Sequence, residues 1–326
     1  MPGTATLAAD RYTQVQSLSR AVVEAVQGIW QDVPADRILS AMQGAAGRQI
    51  LAAVTAGQLS AAQGATLFVS ASMTAQGAIA APLGVLDPAS LAGIASDGRP
   101  LASLLQLPAT TTARALAAGE SADLAAARGL SQMAMMTATQ IADTSRAATS
   151  VAMAAHPRCV SYVRVVRLPA CVRCIVLSGR QYSHSTGFQR HPRCDCGMQP
   201  MSDSEWQQTT SPEDLFRQMS PEEQRKRLGP AGVKAFEHGA DLGQLVNARR
   251  GMATAVTGRG PMKVTTEGTT KRGLAASAMR SGFEKTPGKR YERAKTARLM
   301  PETIFKLAGD NREHQIAMLK RYGYIT

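Results

Sequence analysis

The chain has 326 residues, 44% of them hydrophobic but only 4% aromatic, and carries a formal charge of +13. That length and apolar content allow two or three domains with sizeable cores, and no charge-free run of eighteen apolar residues marks a membrane span. With so few large rings, core packing has to come from Ala, Val, Leu and Met, which suits closely approaching helices.

The first 155 residues read as helical. Arg11 to Trp30, Ala35 to Thr55, Ser60 to Ala80 and Thr111 to Ala155 lack strand alternation and are rich in Ala, Leu, Gln and Met. Joints are expected at Val33-Pro34, Gly57, Ala81-Pro82 and Pro100. A bundle or long helical hairpin is the natural product. Met133, Met135 and Met136 lie at helical spacing and are read as core, because unbranched thioethers fill gaps between helices; Trp30 is assigned to helix packing too. This part is electrically neutral, with eight arginines, no lysine and nine acids.

From Cys159 the pattern changes. Val160 to Leu168 is β-branched and aromatic enough for a strand, ended by Pro169. Ile175 to Leu177, Ser178-Gly179 and Arg180 to Ser183 suggest a second short strand or hairpin. Between them stands Cys171-Val172-Arg173-Cys174, followed after sixteen residues by His191-Pro192-Arg193-Cys194-Asp195-Cys196. CxxC then HxxCxC is metal-ligand spacing, since two intervening residues let a tight turn aim both side chains at one tetrahedral ion. Thiolate and neutral imidazole suit zinc. Five ligands are offered for four positions: His191 joins one of the last two cysteines, or Cys194 and Cys196 complete a four-sulfur site. Both sets stay open at this point.

A disulfide reading requires an oxidising compartment. No signal peptide is read at Met1 to Arg20, so reduced thiols are the expectation. A structural ion is favoured over a catalytic one, because a catalytic site keeps a position for water and a carboxylate base beside it. The chain shows no H-x-E partner and no HExxH, and Asp195 is expected behind the ligands or facing solvent. His156-Pro157-Arg158-Cys159 repeats His191-Pro192-Arg193-Cys194, but with no CxxC nearby it is read as coincidence. His184 and His238 are read as ordinary histidines.

Further on, Ser211-Pro212-Glu213-Asp214 and Ser220-Pro221-Glu222-Glu223 each place Ser at an N-cap, Pro at the first helical position and an acid three residues after the cap. Helices are expected to start there, with others over Gly232 to Gly239 and Leu242 to Arg249. Near the end, Pro301 opens a helix to Leu307, and Asp310-Asn311-Arg312-Glu313 caps a last one running to Arg321 and closed by Gly323. The intervening stretch from Gly251 to Ala297 is poor in Ile, Leu, Phe and Val. Thirteen basic residues between Arg249 and Arg298 face only Glu267, Glu284 and Glu292. It is expected to be a mobile basic arm that orders on a polyanion or on neighbouring subunits. Arg249, Arg250, Arg259, Lys263, Lys271, Arg272, Lys289 and Arg290 are its candidate phosphate contacts, giving salt-sensitive, sequence-independent affinity.

The run from Tyr162-Val163-Arg164-Val165-Val166 through Cys171-Val172-Arg173-Cys174-Ile175-Val176-Leu177-Ser178-Gly179-Arg180-Gln181-Tyr182 to Gly187-Phe188-Gln189-Arg190-His191-Pro192-Arg193-Cys194-Asp195-Cys196 resembles the head-morphogenesis domain of phage minor capsid proteins, the Mu F-like family. The shared form is CxxCxxLxGxxY, a variable stretch, then HPxCxC. The resemblance extends over Gly239-Ala240-Asp241, Val246 to Gly251, Arg298 to Pro301 and Lys320 to Ile325, an ending similar to that of tailed phages of actinobacteria. It covers roughly the C-terminal half. It implies Cys171, Cys174, His191, Cys194 and Cys196 as motif positions, with Leu177, Gly179 and Tyr182 as scaffold.

What the resemblance implies is a low-copy structural protein, not an enzyme, inside the virion near the portal vertex and in the host cytoplasm during assembly. The implied partners are portal or major capsid protein and packaged double-stranded DNA. The expected fold class is α+β, mainly α: a helical domain over 1–155, a small zinc-stapled α/β module over 156–248, a basic irregular arm over 249–298, and a short helical segment over 299–326. Two other classes share the cysteines and the charge. A zinc-containing nucleic-acid-binding regulator needs a recognition helix after Cys196, and none is evident there. A zinc-stapled nuclease of the HNH type needs a His-Asn-His series that the stretch after Cys174 lacks.

Overall fold

The computed structural model describes residues 2–188, 190–192, 194–202, 211–257, 260–267, 283–284 and 293–325. The class is α+β, mainly α, with a three-stranded and a four-stranded sheet among the described residues. The chain forms two compact units: Met1–Arg167 with Gly179–Gln208, and Leu168–Ser178 with Thr209–Thr326.

In the first unit α1 (Thr4–Gln31), α2 (Ile38–Gln43), α3 (Ala45–Ala62), α4 (Ala65–Thr74), α5 (Leu101–Leu105) and α6 (Leu107–Ala117) lead to α7 (Ala122–Ala155). Helix α7 is 34 residues long, about 50 Å at the usual rise per residue. Its start follows from sequence: the Ser121 hydroxyl accepts from the Leu124 amide, and Asp123 lies in the first turn where the helix dipole favours an anion. Ala125, Gly129, Met133, Thr137, Ile141, Ala148 and Ala152 recur at near-helical spacing along its buried face. Helices α1, α3, α4 and α6 pack against it. The core gathers Val22, Val26, Trp30, Ile38, Ile50, Val54, Leu101, Leu105, Met133 and Ile141, so Trp30 and Met133 are core residues as expected.

Several joints differ from expectation: the helix expected over 35–55 is interrupted at Gly44, and the one expected over 60–80 is divided at Gln63 and Gly64 and ends at Thr74. The helix expected over 111–155 is broken at Gly119, which adopts a left-handed φ of 85°. Gly57, by contrast, lies inside α3. A Cβ built there would stand 2.7 Å from side-chain atoms of both Val22 and Ile141, so this glycine lets three helices approach closely rather than ending one.

Strand β1 (Ser161–Val165) begins six residues after α7 and is the middle of the sheet, antiparallel to β2 (Gln181–Ser183) and β3 (Gly197–Met201). Residue 155 therefore ends a helix but not a compact unit, because this sheet belongs with the helices. Tyr162 stands opposite Tyr182 in the register, and their rings stack at 5.3 Å. Strand β3 was not evident from sequence. It contains Pro200, which an edge strand accommodates because one side of its backbone needs no ladder partner.

In the second unit the Ser220–Glu223 capping box starts α10 (Pro221–Glu237), after α8 (Val172–Ile175) and α9 (Pro212–Arg217). The two helices expected over 221–239 are both present within α10, separated at Gly229, where φ is 71°, beside Pro230. Helices α11 (Leu242–Arg250), α12 (Pro301–Ala308) and α13 (Arg312–Arg321) fall where caps and prolines place them. The irregular arm is corrected where its residues are described, while 258–259, 268–282 and 285–292 lie outside them. Strands β4 (Met252–Thr257), β5 (Gly260–Glu267), β6 (Phe283–Glu284) and β7 (Arg293–Leu299) form an antiparallel sheet in the order β4-β5-β7-β6. β-Branched Val and Thr provide the strand character that a count of large aliphatics overlooks. Arg298 is buried over the Tyr324 ring at 4.8 Å, with Nε donating to the Tyr322 carbonyl at 2.9 Å. Burial lowers its pKa.

The packing yields opposite outcomes for two helical glycines. Gly28→Ala adds a methyl where no atom lies within 4 Å and should stabilise by about 0.5–1 kcal/mol through helix propensity. In Gly129→Ala the added Cβ would meet Thr112, Trp30 and the Pro108 carbonyl, so overpacking should cost about 1–3 kcal/mol. Urea unfolding of both variants checks the sign.

Candidate metal centre

The donor residues lie on two short turns. Cys171 is the N-cap of α8, and its sulfur accepts from the Cys174 amide at 3.4 Å. This single helical turn replaces the strand expected at Ile175 to Leu177, because a CxxC knuckle must curl to turn both sulfurs one way. Gly179 follows with φ 68°, a left-handed conformation that suits glycine. Its amide donates to the Arg164 carbonyl at 3.1 Å, and the Arg164 amide donates to the Arg180 carbonyl at 2.9 Å. Gly179 thus returns the chain to β2, where Tyr182 stacks on Tyr162. Leu177 is half-buried, and its amide closes the turn on the Cys174 carbonyl.

All five donors fall in two overlapping groups. The donor atoms of Cys171, Cys174 and His191 lie within 4.8 Å of one another, as do those of Cys174, Cys194 and Cys196. Tetrahedral zinc, with bonds of about 2.3 Å to sulfur, sets two sulfurs about 3.8 Å apart. Soft sulfur donors with an imidazole beside them can therefore hold a metal ion. Cys174, Cys194 and Cys196 are buried, whereas Cys171 and His191 are partly exposed. The His191 Nδ1 lies 2.7 Å from the Pro192 carbonyl oxygen, a contact that directs the ring.

Cys159 is a different kind of cysteine. Among the described residues it joins neither donor group. It is buried, its thiol faces the Ser161 carbonyl at 3.6 Å, and burial pushes its pKa up to about 11. The HPRC repeat thus has no matching site. His156 is buried, which lowers its pKa, and its Nδ1 accepts from the Arg158 amide at 3.4 Å. His184 is half-buried with Nδ1 3.2 Å from the Val160 carbonyl oxygen, and His238 contacts Gln315 at 3.0 Å.

Around the HxxCxC loop stands a charged frame that was not singled out from sequence. Arg146 of α7 is buried and donates from Nη1 to the carbonyls of Cys194 at 3.2 Å and Cys196 at 2.9 Å. Its Nη2 pairs with Asp143, and Asp143 also receives Nε and Nη2 of Arg190. That carboxylate raises the Arg190 pKa. Asp195 accepts from the Tyr12 hydroxyl of α1 at 2.7 Å, so it faces protein rather than an ion. Burial, and next the hydrogen bond to Asp195, raise the Tyr12 pKa. A clue was available, since Asp143 and Arg146 are the only Asp, Glu, Lys or Arg between Arg128 and Arg158. A lone i,i+3 charge pair in so apolar a helix needs partners elsewhere.

The candidate phosphate contacts separate into groups. Arg249 pairs with Glu302 at 2.8 Å and Arg250 pairs with Glu267, so both serve the fold. Lys263 donates to Thr254 Oγ1 at 2.7 Å from an exposed position on β5. Arg259, Lys271, Arg272, Lys289 and Arg290 lie outside the described residues. Among the described residues no helix is long and apolar enough to cross a membrane. No family model, curated protein or solved structure gives a significant match to the chain.

Cys159 gives stability a specific alkaline limb. Its folded pKa of about 11 lies above the ordinary thiol value of 9.0, so the thiol's contribution is complete below about pH 9 and is lost as pH rises towards 11. The full effect is about 2–3 kcal/mol. In denaturant titrations from pH 8 to 11, wild type should lose this increment relative to Cys159→Ala.

Proposed function

We propose that this chain is a minor head protein of the phage head-morphogenesis type: a non-catalytic, low-copy component inside the capsid near the portal vertex. It acts in procapsid assembly, with a part in DNA packaging or ejection. The observation that carries the reading is the gathering of Cys171, Cys174, His191, Cys194 and Cys196 into overlapping donor groups, with Gly179 and Tyr182 in the scaffold positions that the motif requires. On this reading the ion is zinc, held by four of the five donors, and its role is to staple a small module that lacks a large apolar core.

Each region then has a partner. The neutral helical part docks on portal or major capsid protein. Its loop after α4 exposes Ile79 by 77%, Leu83 by 83% and Val85 by 80%, apolar surface of the kind that protein partners cover. The basic segment meets packaged DNA without reading sequence. Since Arg249, Arg250 and Arg298 have partners within the fold, phosphate contacts fall to Lys263 and to Arg259, Lys271, Arg272, Lys289 and Arg290.

Quantitative mass spectrometry of purified particles and DNA-free procapsids should find a few copies of the chain in both. Absence from both would remove the head-protein reading and favour a zinc-containing nucleic-acid-binding regulator. In duplex DNA binding, joint replacement of Lys271, Arg272, Lys289 and Arg290 by Ala should weaken affinity and flatten the slope of log K against log salt. The slope should fall by about 0.9 for each phosphate that is no longer neutralised. Replacement of Arg249 and Arg250 should instead lower thermal stability.

A further inference from the structure

The HxxCxC loop is held by two buried guanidiniums that are not metal donors. Arg146 fixes its backbone through the carbonyls of Cys194 and Cys196. Arg164, 2% exposed on the central strand β1, addresses the sulfurs themselves: its Nη2 lies 3.5 Å from Cys194 Sγ and 3.4 Å from Cys196 Sγ. The guanidinium is held from another direction as well, with its carbon 4.3 Å from the centre of the Phe188 ring. Phe188 is itself buried against Tyr162 and Tyr182 at 6.2 and 5.9 Å.

We propose, building on the metal reading above, that Arg164 is a positioning and charge-balancing residue of the metal centre, holding the Cys194 and Cys196 sulfurs as a preset pair of donors. A guanidinium only donates hydrogen bonds and stays charged at neutral pH. Its contact with sulfur is therefore strongest where the sulfur is a thiolate. When a metal binds, each coordinating thiol releases its proton to solvent, and a divalent ion with three or four thiolates leaves the complex with excess negative charge. A buried cation touching two of those sulfurs offsets that charge where water cannot. The planar head also sets the sulfur spacing before an ion arrives, since one nitrogen reaches both while the aromatic ring limits its swing. Lysine is a poor substitute, because a compact ammonium on a flexible stem neither stacks in this way nor presents a rigid fork.

The test uses the full-length reduced protein with cobalt(II) as the probe and zinc as its competitor, in wild type, Arg164→Met and Arg164→Lys. Wild type should give intense sulfur-to-cobalt charge-transfer absorption. Arg164→Met should bind cobalt about 10- to 100-fold more weakly. Its charge-transfer band should move to lower energy, because sulfur lone pairs freed of a hydrogen bond are easier to ionise. Arg164→Lys should recover part of the affinity but not the wild-type band position. A folded Arg164→Met with wild-type affinity and spectrum overturns the proposal. If that variant does not fold, Arg164→Lys decides alone: a displaced band supports the proposal and an unchanged band with unchanged affinity overturns it. Wild type without thiolate-cobalt absorption would instead remove the metal reading on which the proposal stands.

Discussion

The constraint on which the candidate site depends is the ionic chain Arg146–Asp143–Arg190, in which Arg146 and Asp143 are buried. Placing a guanidinium and a carboxylate inside an Ala-rich helix interface is unfavourable unless every group is paired and hydrogen-bonded. Here partners come from the HxxCxC loop and the residue before it: Arg190 pairs with the carboxylate, and the carbonyls of Cys194 and Cys196 accept from Arg146. Helix α7 and the loop therefore stabilise one another. The loop gains a defined backbone without belonging to a helix or sheet over its donor positions, and the helix gains partners for charges it could not bury alone.

This arrangement divides labour between scaffold and chemistry. Sheet register and the Tyr162, Tyr182 and Phe188 rings give Arg164 its location. Arg146 fixes carbonyls, and Arg164 faces sulfurs. Close helix contacts through Gly57 and Gly129 let a unit poor in aromatic residues reach a well-packed core, so the site rests on a firm support despite the small size of the sheet beside it. In the second unit the same economy of large side chains is met differently, with Arg298 over the Tyr324 ring and donating to backbone carbonyls.

Much of this was legible in local sequence. The Ser, Asp and Asn caps at Ser121, Ser211, Ser220, Asp241 and Asn311 mark helix starts because a side-chain oxygen next to a free backbone amide is a local interaction. The CxxC and HxxCxC spacings likewise announce their chemistry within a few residues. The sheet over β4, β5, β6 and β7 was missed because strand pairing is non-local, and a segment rich in Thr, Gly and Lys gains order from its partners rather than from its own apolar content. The same reason hid the role of Gly57. Whether a glycine ends a helix or admits a neighbour depends on what packs against it.

By itself the sequence determined the helical character of the first 155 residues, the five Cys and His residues that gather into two possible donor groups, and the concentration of basic charge near the C-terminus, since each is a property of composition or short spacing. Only the tertiary structure decided which charges are spent on the fold and which remain outward. It paired Arg249 and Arg250 with acids, set Cys159 apart from the other cysteines, and brought Arg146 and Arg164 to a loop 30 to 50 positions further along the chain. Long-range electrostatic pairing of this kind leaves no periodic trace in sequence, because it is set by where burial makes an unpaired charge too costly.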